Sequence, residues 1–185
     1  CGAVIAHSAF ASGQSADAMV GEARKVASRL LQHIRAEVGA ELERSGPIRA
    51  VTVCKFSAPE LSSAISRQTG MRVTRVSIAP RNPYSGSADA WEQKKLLEFE
   101  KRLAKGEKID DLEVFEIVGE PVGRFFRYLK AIPMGPACSV CHGADDSIPE
   151  GVKAMLAGDY PFDPAKNVKV GQIRGAVSVK KPITD

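Results

Sequence analysis

The chain has 185 residues, 44% of them hydrophobic and 26% charged, with a net charge of +4. That length suits one ordinary domain, and the composition excludes a disordered chain. Basic runs never exceed pairs such as Lys180-Lys181 and aromatics reach only 6%, which argues against a nucleic-acid footprint or a base-stacking platform.

The opening CGAVIAHSAFASGQSADA reads as the tail of a secretory signal, with Ala9-Phe10-Ala11 as an A-x-A cleavage pattern. Cys1-Gly2 reads alternatively as a lipidated N-terminal cysteine, the one route to membrane attachment; a plain small-residue arm is the third reading. The first two place the protein in the periplasm or otherwise outside the cytoplasm. The expected organisation is a signal remnant over 1–11, a helix over 12–46 and the main domain over 47–185. No other segment approaches the roughly 20 apolar residues that span a bilayer.

Residues Ala16 to Arg44 predict one long amphipathic helix. Val20, Ala23, Ala27, Leu30, Leu31, Ile34, Val38 and Leu42 recur at three- and four-residue spacing. Gly46-Pro47 is expected to stop it. Its stripe must pack against the protein's own sheet or against a second copy, so a homodimer through this helix is one expectation. A second helix follows through Val51, Cys54, Leu61 and Ile65, bent or restarted near Pro59 with Ser57 as a candidate cap and Gly70 as its end. MRVTRVSI predicts a strand halted by Pro80. After a loop, Ser87 or Asp89 can cap a helix that runs to about Lys105. Leu112–Val118 and Gly123–Ile132 predict a hairpin, Pro149–Leu156 a short helix, and Ile173–Val179 a last strand. Helices followed by antiparallel strands make the class α+β.

Cys138-Ser139-Val140-Cys141-His142 is the attachment pattern of a c-type haem. Two thiols on one tight turn can add to the two vinyl groups along one porphyrin edge, and the next histidine can then ligate the iron. Gly143 is expected to let the backbone pass close to the porphyrin. The rival chemistries fit less well. A redox C-x-x-C pair expects a thioredoxin-like βαβ context, which is missing. A zinc site built on Cys54, Cys138, Cys141 and His142 would take ligands from adjacent residues. A plain disulfide leaves the histidine unexplained. For a second axial ligand the candidates are Cys54, Met71, Met134, Met155, His7 and His33. From spacing alone, Cys54 is as readily an inert packed thiol as a ligand. No nucleophile–base constellation points to an enzyme, and Asp145-Asp146 reads as a solvated loop.

Four blocks together resemble a known family. They are CKFSAPELSSAIS (Cys54–Ser66), VTRVSIAPRNPYSGSADAWE (Val73–Glu92), CSVCHG (Cys138–Gly143) and YPFDPAKNVKVGQIRGAVSV (Tyr160–Val179). The chain is similar to the single-haem, PAS-like c-type domains of exported cyanobacterial and proteobacterial proteins. Asn167 stands where these usually have glycine, and asparagine tolerates the left-handed backbone such a turn needs. The resemblance implies a PAS-like antiparallel sheet flanked by helices, with a single covalent haem c, His142 on one face of the iron and Cys54 on the other. Arg75 and Arg81 lie in a block matching the family's arginine segment, and either serve the haem propionates or shape a turn. Phe125, Phe126 and Tyr128 either line the haem or form plain core. The implied role is a redox or diatomic-gas sensor; a small electron carrier with a redox partner protein is the alternative. A haem-free disulfide-bearing interaction module is the third.

Overall fold

The structure is a computed structural model and describes residues 15–183. The expected signal remnant, with Cys1 and His7, lies outside those residues. Ser15 caps the first helix, its hydroxyl accepting from Ala18 N–H at 3.2 Å. This helix, α1 (Ala16–Thr52), does not stop at Gly46-Pro47 as expected. Gly46 leaves the helical region at φ 80° and the chain kinks there, and Pro47 restarts the helix at once, a position where its missing N–H costs nothing. Nor does Ser57 cap a restart. Residues Val53–Ser57 form a π-helical segment that runs straight into α2 (Ala58–Thr69), and Ser57 keeps helical φ and ψ with no side-chain cap bond.

The four strands are β1 (Arg72–Val76), β2 (Glu113–Glu120), β3 (Gly123–Pro133) and β4 (Ile173–Ile183), in the order β1-β4-β3-β2 with antiparallel neighbours throughout. Between β1 and β2 come a one-turn helix, α3 (Pro83–Gly86), inside the expected loop, and α4 (Ala90–Ala104). Asp89 and Glu92 form a capping box at the start of α4. Between β3 and β4 lie α5 (Ser139–His142) and α6 (Glu150–Asp159).

Register fixes which face each side chain takes. Tyr128 pairs with Val179, and Val73 pairs with Val179 from the other side. These three, with Phe126 and Val177, meet the stripe Val20, Ala23, Ala27, Leu30 and Ile34 of α1 in one core. The stripe is therefore buried on the protein's own sheet. Residues of opposite parity, Leu129, Ala131 and Ala176, pack with Leu96 and Phe99 of α4 on the second face. A third, smaller core joins Val51 of α1 to Val152 and Leu156 of α6. Among the described residues no helix is long and apolar enough to cross a membrane.

Candidate functional site

Where β3 ends and β4 begins, the α1 face of the sheet is left bare. Ile132, Gly175 and Arg75 form part of the floor of a cavity of about 620 Å³, within the roughly 300–1,000 Å³ usual for small-molecule and cofactor pockets. Leu31, Ile34 and Val38 of α1 roof it, and Cys54 and Pro59 wall one side. Gly175 keeps the floor low: a Cβ there would lie 2.4 Å from Val76 O.

The turn carrying Cys138, Cys141 and His142 also lines the cavity. Backbone contacts hold this turn rigidly. Asn167 N–H donates to Gly143 O at 2.7 Å and Val168 N–H donates to His142 O at 3.0 Å. Asn167 itself sits at φ 62°, the left-handed conformation its sequence position called for. Gly143 closes the turn by donating to Ser139 O, and a Cβ on it would sit 2.5 Å from that same oxygen. This close approach within the turn already requires glycine there.

His142 is anchored by one nitrogen. Its Nδ1 lies 2.7 Å from Ala165 O. A carbonyl only accepts, so Nδ1 carries the proton and Nε2 keeps the lone pair. Burial, with Arg174 and Arg81 nearby, holds the imidazole well below the ordinary histidine range, so it is neutral and able to ligate. Burial pushes the Cys141 thiol up to about 11, against the pull of Arg81. Reactive dithiol pairs need a lowered thiol pKa, so Cys141 is poorly suited to redox exchange. The two thiols, the imidazole and the Cys54 thiol stand around an open volume. Among the described residues no three histidine, cysteine or acidic side chains converge as an ion-sized metal group. An arrangement of this kind can hold a group that fills the space between the walls.

A family model for Tll0287-like proteins matches residues 13–182. The chain belongs to the Tll0287-like family. Among solved structures it is similar to the crystal structure of the cyanobacterial heme-protein Tll0287, at 23% identity and a TM-score of 0.68, over 89% of this chain and 94% of that one. At that identity the likeness is one of fold, and it bears out the α+β class with its long first helix. No curated protein matches.

In this Tll0287-like chain Cys54 is exposed and lies in the π-helical segment. Arg81 lines the cavity, but its guanidinium is already engaged. Its Nε donates to Asp163 at 2.9 Å, and its Nη2 donates to Cys141 O and, at 3.3 Å, to Ala165 O. It braces the turn. Arg75 has no hydrogen-bond or ion-pair partner among the described residues. Of the alternative axial candidates, Met71 and Met134 are buried at 1% exposure, Met155 packs in the third core, and His33 is exposed on α1. Phe126 and Tyr128 belong to the core under α1, and none of the three strand aromatics lines the cavity.

Arg174 is the site residue that sequence reasoning missed. It lines the cavity, its Nη1 donates to Ser77 Oγ at 3.1 Å and Ala79 O at 3.3 Å, and its Nε lies 3.2 Å from His142 Nδ1. Burial, with Arg81 and Arg75 nearby, pulls its pKa down to about 10. An arginine in the second position of the last strand, followed by glycine and the mostly apolar Ala176–Val179, was the available signal.

Proposed function

We propose that this protein is an exported, PAS-like, single-haem c-type domain that senses redox state or a diatomic gas. The observation that carries the proposal is that Cys138, Cys141, His142 and Cys54 all line one cavity of about 620 Å³. Cys138 and Cys141 would hold the porphyrin through thioethers, and His142 would ligate the iron through Nε2. Cys54, which lines the same cavity, would supply a second ligand to the iron.

The charge of the cavity fits the group. Arg35, Arg75 and Arg174 line it without a carboxylate partner, while Lys55 and Arg81 are paired with Asp159 and Asp163. Asp110 is the carboxylate among the lining residues. The surplus of two positive charges suits the two propionates of haem, and Arg75, with its free guanidinium, is the first candidate to bind one. Haem, once bound, supplies a reversible one-electron couple and a metal face for a small ligand. The chain's residues do the rest. The braced turn keeps His142 neutral and oriented. The exposed Cys54 can bind or release without disturbing the core, because its π-helical segment contributes only Val53 to buried structure.

Protein made together with cytochrome c maturation factors should give a pyridine haemochrome spectrum of the two-thioether type. A spectrum with intact vinyl groups would sink the covalent attachment, and no haem at all would sink the proposal. Spectra recorded through a redox titration then separate the roles. A ligand change on reduction favours the sensor. Unchanged ligation with fast electron exchange to a partner cytochrome favours the carrier.

A further inference from the structure

We infer that Arg174 is an electrostatic tuning residue for His142, a fixed cation beside Nδ1 that makes the imidazole a weaker donor at Nε2 and raises the midpoint potential of a haem held there. The inference rests on the haem proposal and adds to it a positioning residue that acts through the histidine.

The geometry around Nδ1 is unusual. Two groups approach the same nitrogen, Ala165 O at 2.7 Å and Arg174 Nε at 3.2 Å. The carbonyl claims the Nδ1 proton, so no lone pair remains for the Arg174 Nε–H. The Arg174 contact is therefore one of charge, and the histidine does not hold the arginine in place. Ser77 and its neighbour do. Ser77 Oγ accepts from Arg174 Nη1 and donates to Arg174 O, each at 3.1 Å, and Ala79 O accepts from Nη1 at 3.3 Å. All these partners are neutral. No carboxylate forms an ion pair with Arg174 among the described residues, and Asp163, the carboxylate whose charge it feels, is paired with Arg81.

A ligating histidine usually gains basicity by giving its Nδ1–H to a carboxylate or carbonyl. Here that gain is reduced twice. Ala165 O is shared with Arg81 Nη2, which takes part of its acceptor strength. The Arg174 cation opposes the shift of electron density from Nδ1 towards Nε2. In addition, a positive charge near the metal disfavours the oxidised state through space, and desolvation strengthens that effect. All three push the potential upward, against the downward pull of a thiolate ligand.

Two variants separate charge from architecture. Arg174→Gln keeps an amide donor for Ser77 and removes the charge; Arg174→Lys keeps the charge. Both should retain the c-type spectrum. The midpoint potential should fall in Arg174→Gln and lie between the two in Arg174→Lys. An Arg174→Gln potential equal to or above that of the wild type, with the spectrum intact, overturns the inference. If Arg174→Gln does not fold, Ser77→Ala loosens the arginine without touching His142 and should lower the potential in the same sense; an unchanged potential there overturns it too. Failure of the wild type to take up haem would overturn the haem proposal instead. The tuning is then read in the haem-free protein by proton NMR. The His142 Hδ1 resonance should move downfield in Arg174→Gln, and an unmoved resonance overturns the inference.

Discussion

Gly143 and Cys54 show how single residues set the site in opposite ways, one by what it lacks and one by what it offers. At Gly143 a Cβ would meet Ser139 O at 2.5 Å and Ser139 C at 3.3 Å. Both obstacles are backbone, so the turn itself must open. Gly143→Ala should cost about 1–3 kcal/mol, the range for forced overpacking, and should lower the yield of haem-loaded protein. Urea unfolding of the haem-free protein checks the first effect and absorbance per mole of chain the second. Cys54 has no such structural duty. It is exposed, so Cys54→Ala should leave unfolding within about 0.5 kcal/mol of wild type. The same change should alter the ferric absorption spectrum and raise the midpoint potential, because an anionic sulfur that favours ferric iron is gone. An unchanged ferric spectrum would remove Cys54 from the iron.

At the scale of elements, α4 is held to the sheet by a buried charge cluster. Arg127 of β3 is 3% exposed, and its Nη2 donates to Asp89 at 2.6 Å and to Glu92 at 3.0 Å. Glu92, also 3% exposed, accepts from Ser178 Oγ at 2.6 Å, and the Trp91 ring lies under the guanidinium at 4.5 Å. Arg127 Nε is buried without a partner, so the cluster is not fully satisfied. Arg127→Met would strand the Glu92 carboxylate in the interior. The expected loss is about 3–5 kcal/mol, as for a buried pair broken on one side. Arg127→Met with Glu92→Gln should lose less, since the uncompensated charge goes too, and chemical denaturation of both variants checks the ordering.

The elements also show what was legible in the sequence. The strands, α4 with its Asp89 cap, and α2 ending at Gly70 follow from period and punctuation that act locally. The α1 stripe was legible as well, because a helix that buries one face must show it. Gly46-Pro47 misled because the cavity roof and its wall lie on either side of one kink, and core contacts of Ala50 and Val51 reward an immediate restart. The π-helical turn that carries Cys54 leaves no local signature. Of the site, the C-x-x-C-H turn was plain, and four matching blocks pointed to Cys54. The engagement of Arg81 and the approach of Arg174 to His142 depend on partners 60 and 32 residues away, which no local pattern encodes.

Across the whole molecule, the ion pairs that tie helices to the sheet set how it responds to acid. Burial alone would raise the Asp89 carboxyl, but its bonds to Arg127 and the Glu92 N–H outweigh this and hold it below the ordinary carboxylate range. Glu113 of β2 behaves alike. Burial pushes it up, and Arg24 of α1 with the Tyr128 hydroxyl pull it below its ordinary value. Lys95 and Trp91 of α4 lower Glu116 in the same sense. A carboxyl whose folded pKa is depressed binds fewer protons in the folded state than in the unfolded one. Its stabilisation is complete above the unfolded pKa and drains away as pH falls through the folded value. These contacts pin α1 and α4 to opposite faces of one sheet, so their losses add within a single cooperative unit. Unfolding free energy of the haem-free protein should therefore begin to fall below about pH 6.5, where His142 is protonated in the unfolded chain but kept neutral by burial in the folded one, and fall more steeply below about 4.5 as these carboxylates lose their contribution. Glu113→Gln keeps the Tyr128 contact but removes the titrating charge, and should flatten part of that decline while lowering the plateau. A wild-type profile that stayed level down to pH 3 in urea titrations would show that these pairs do not couple the helices to the sheet.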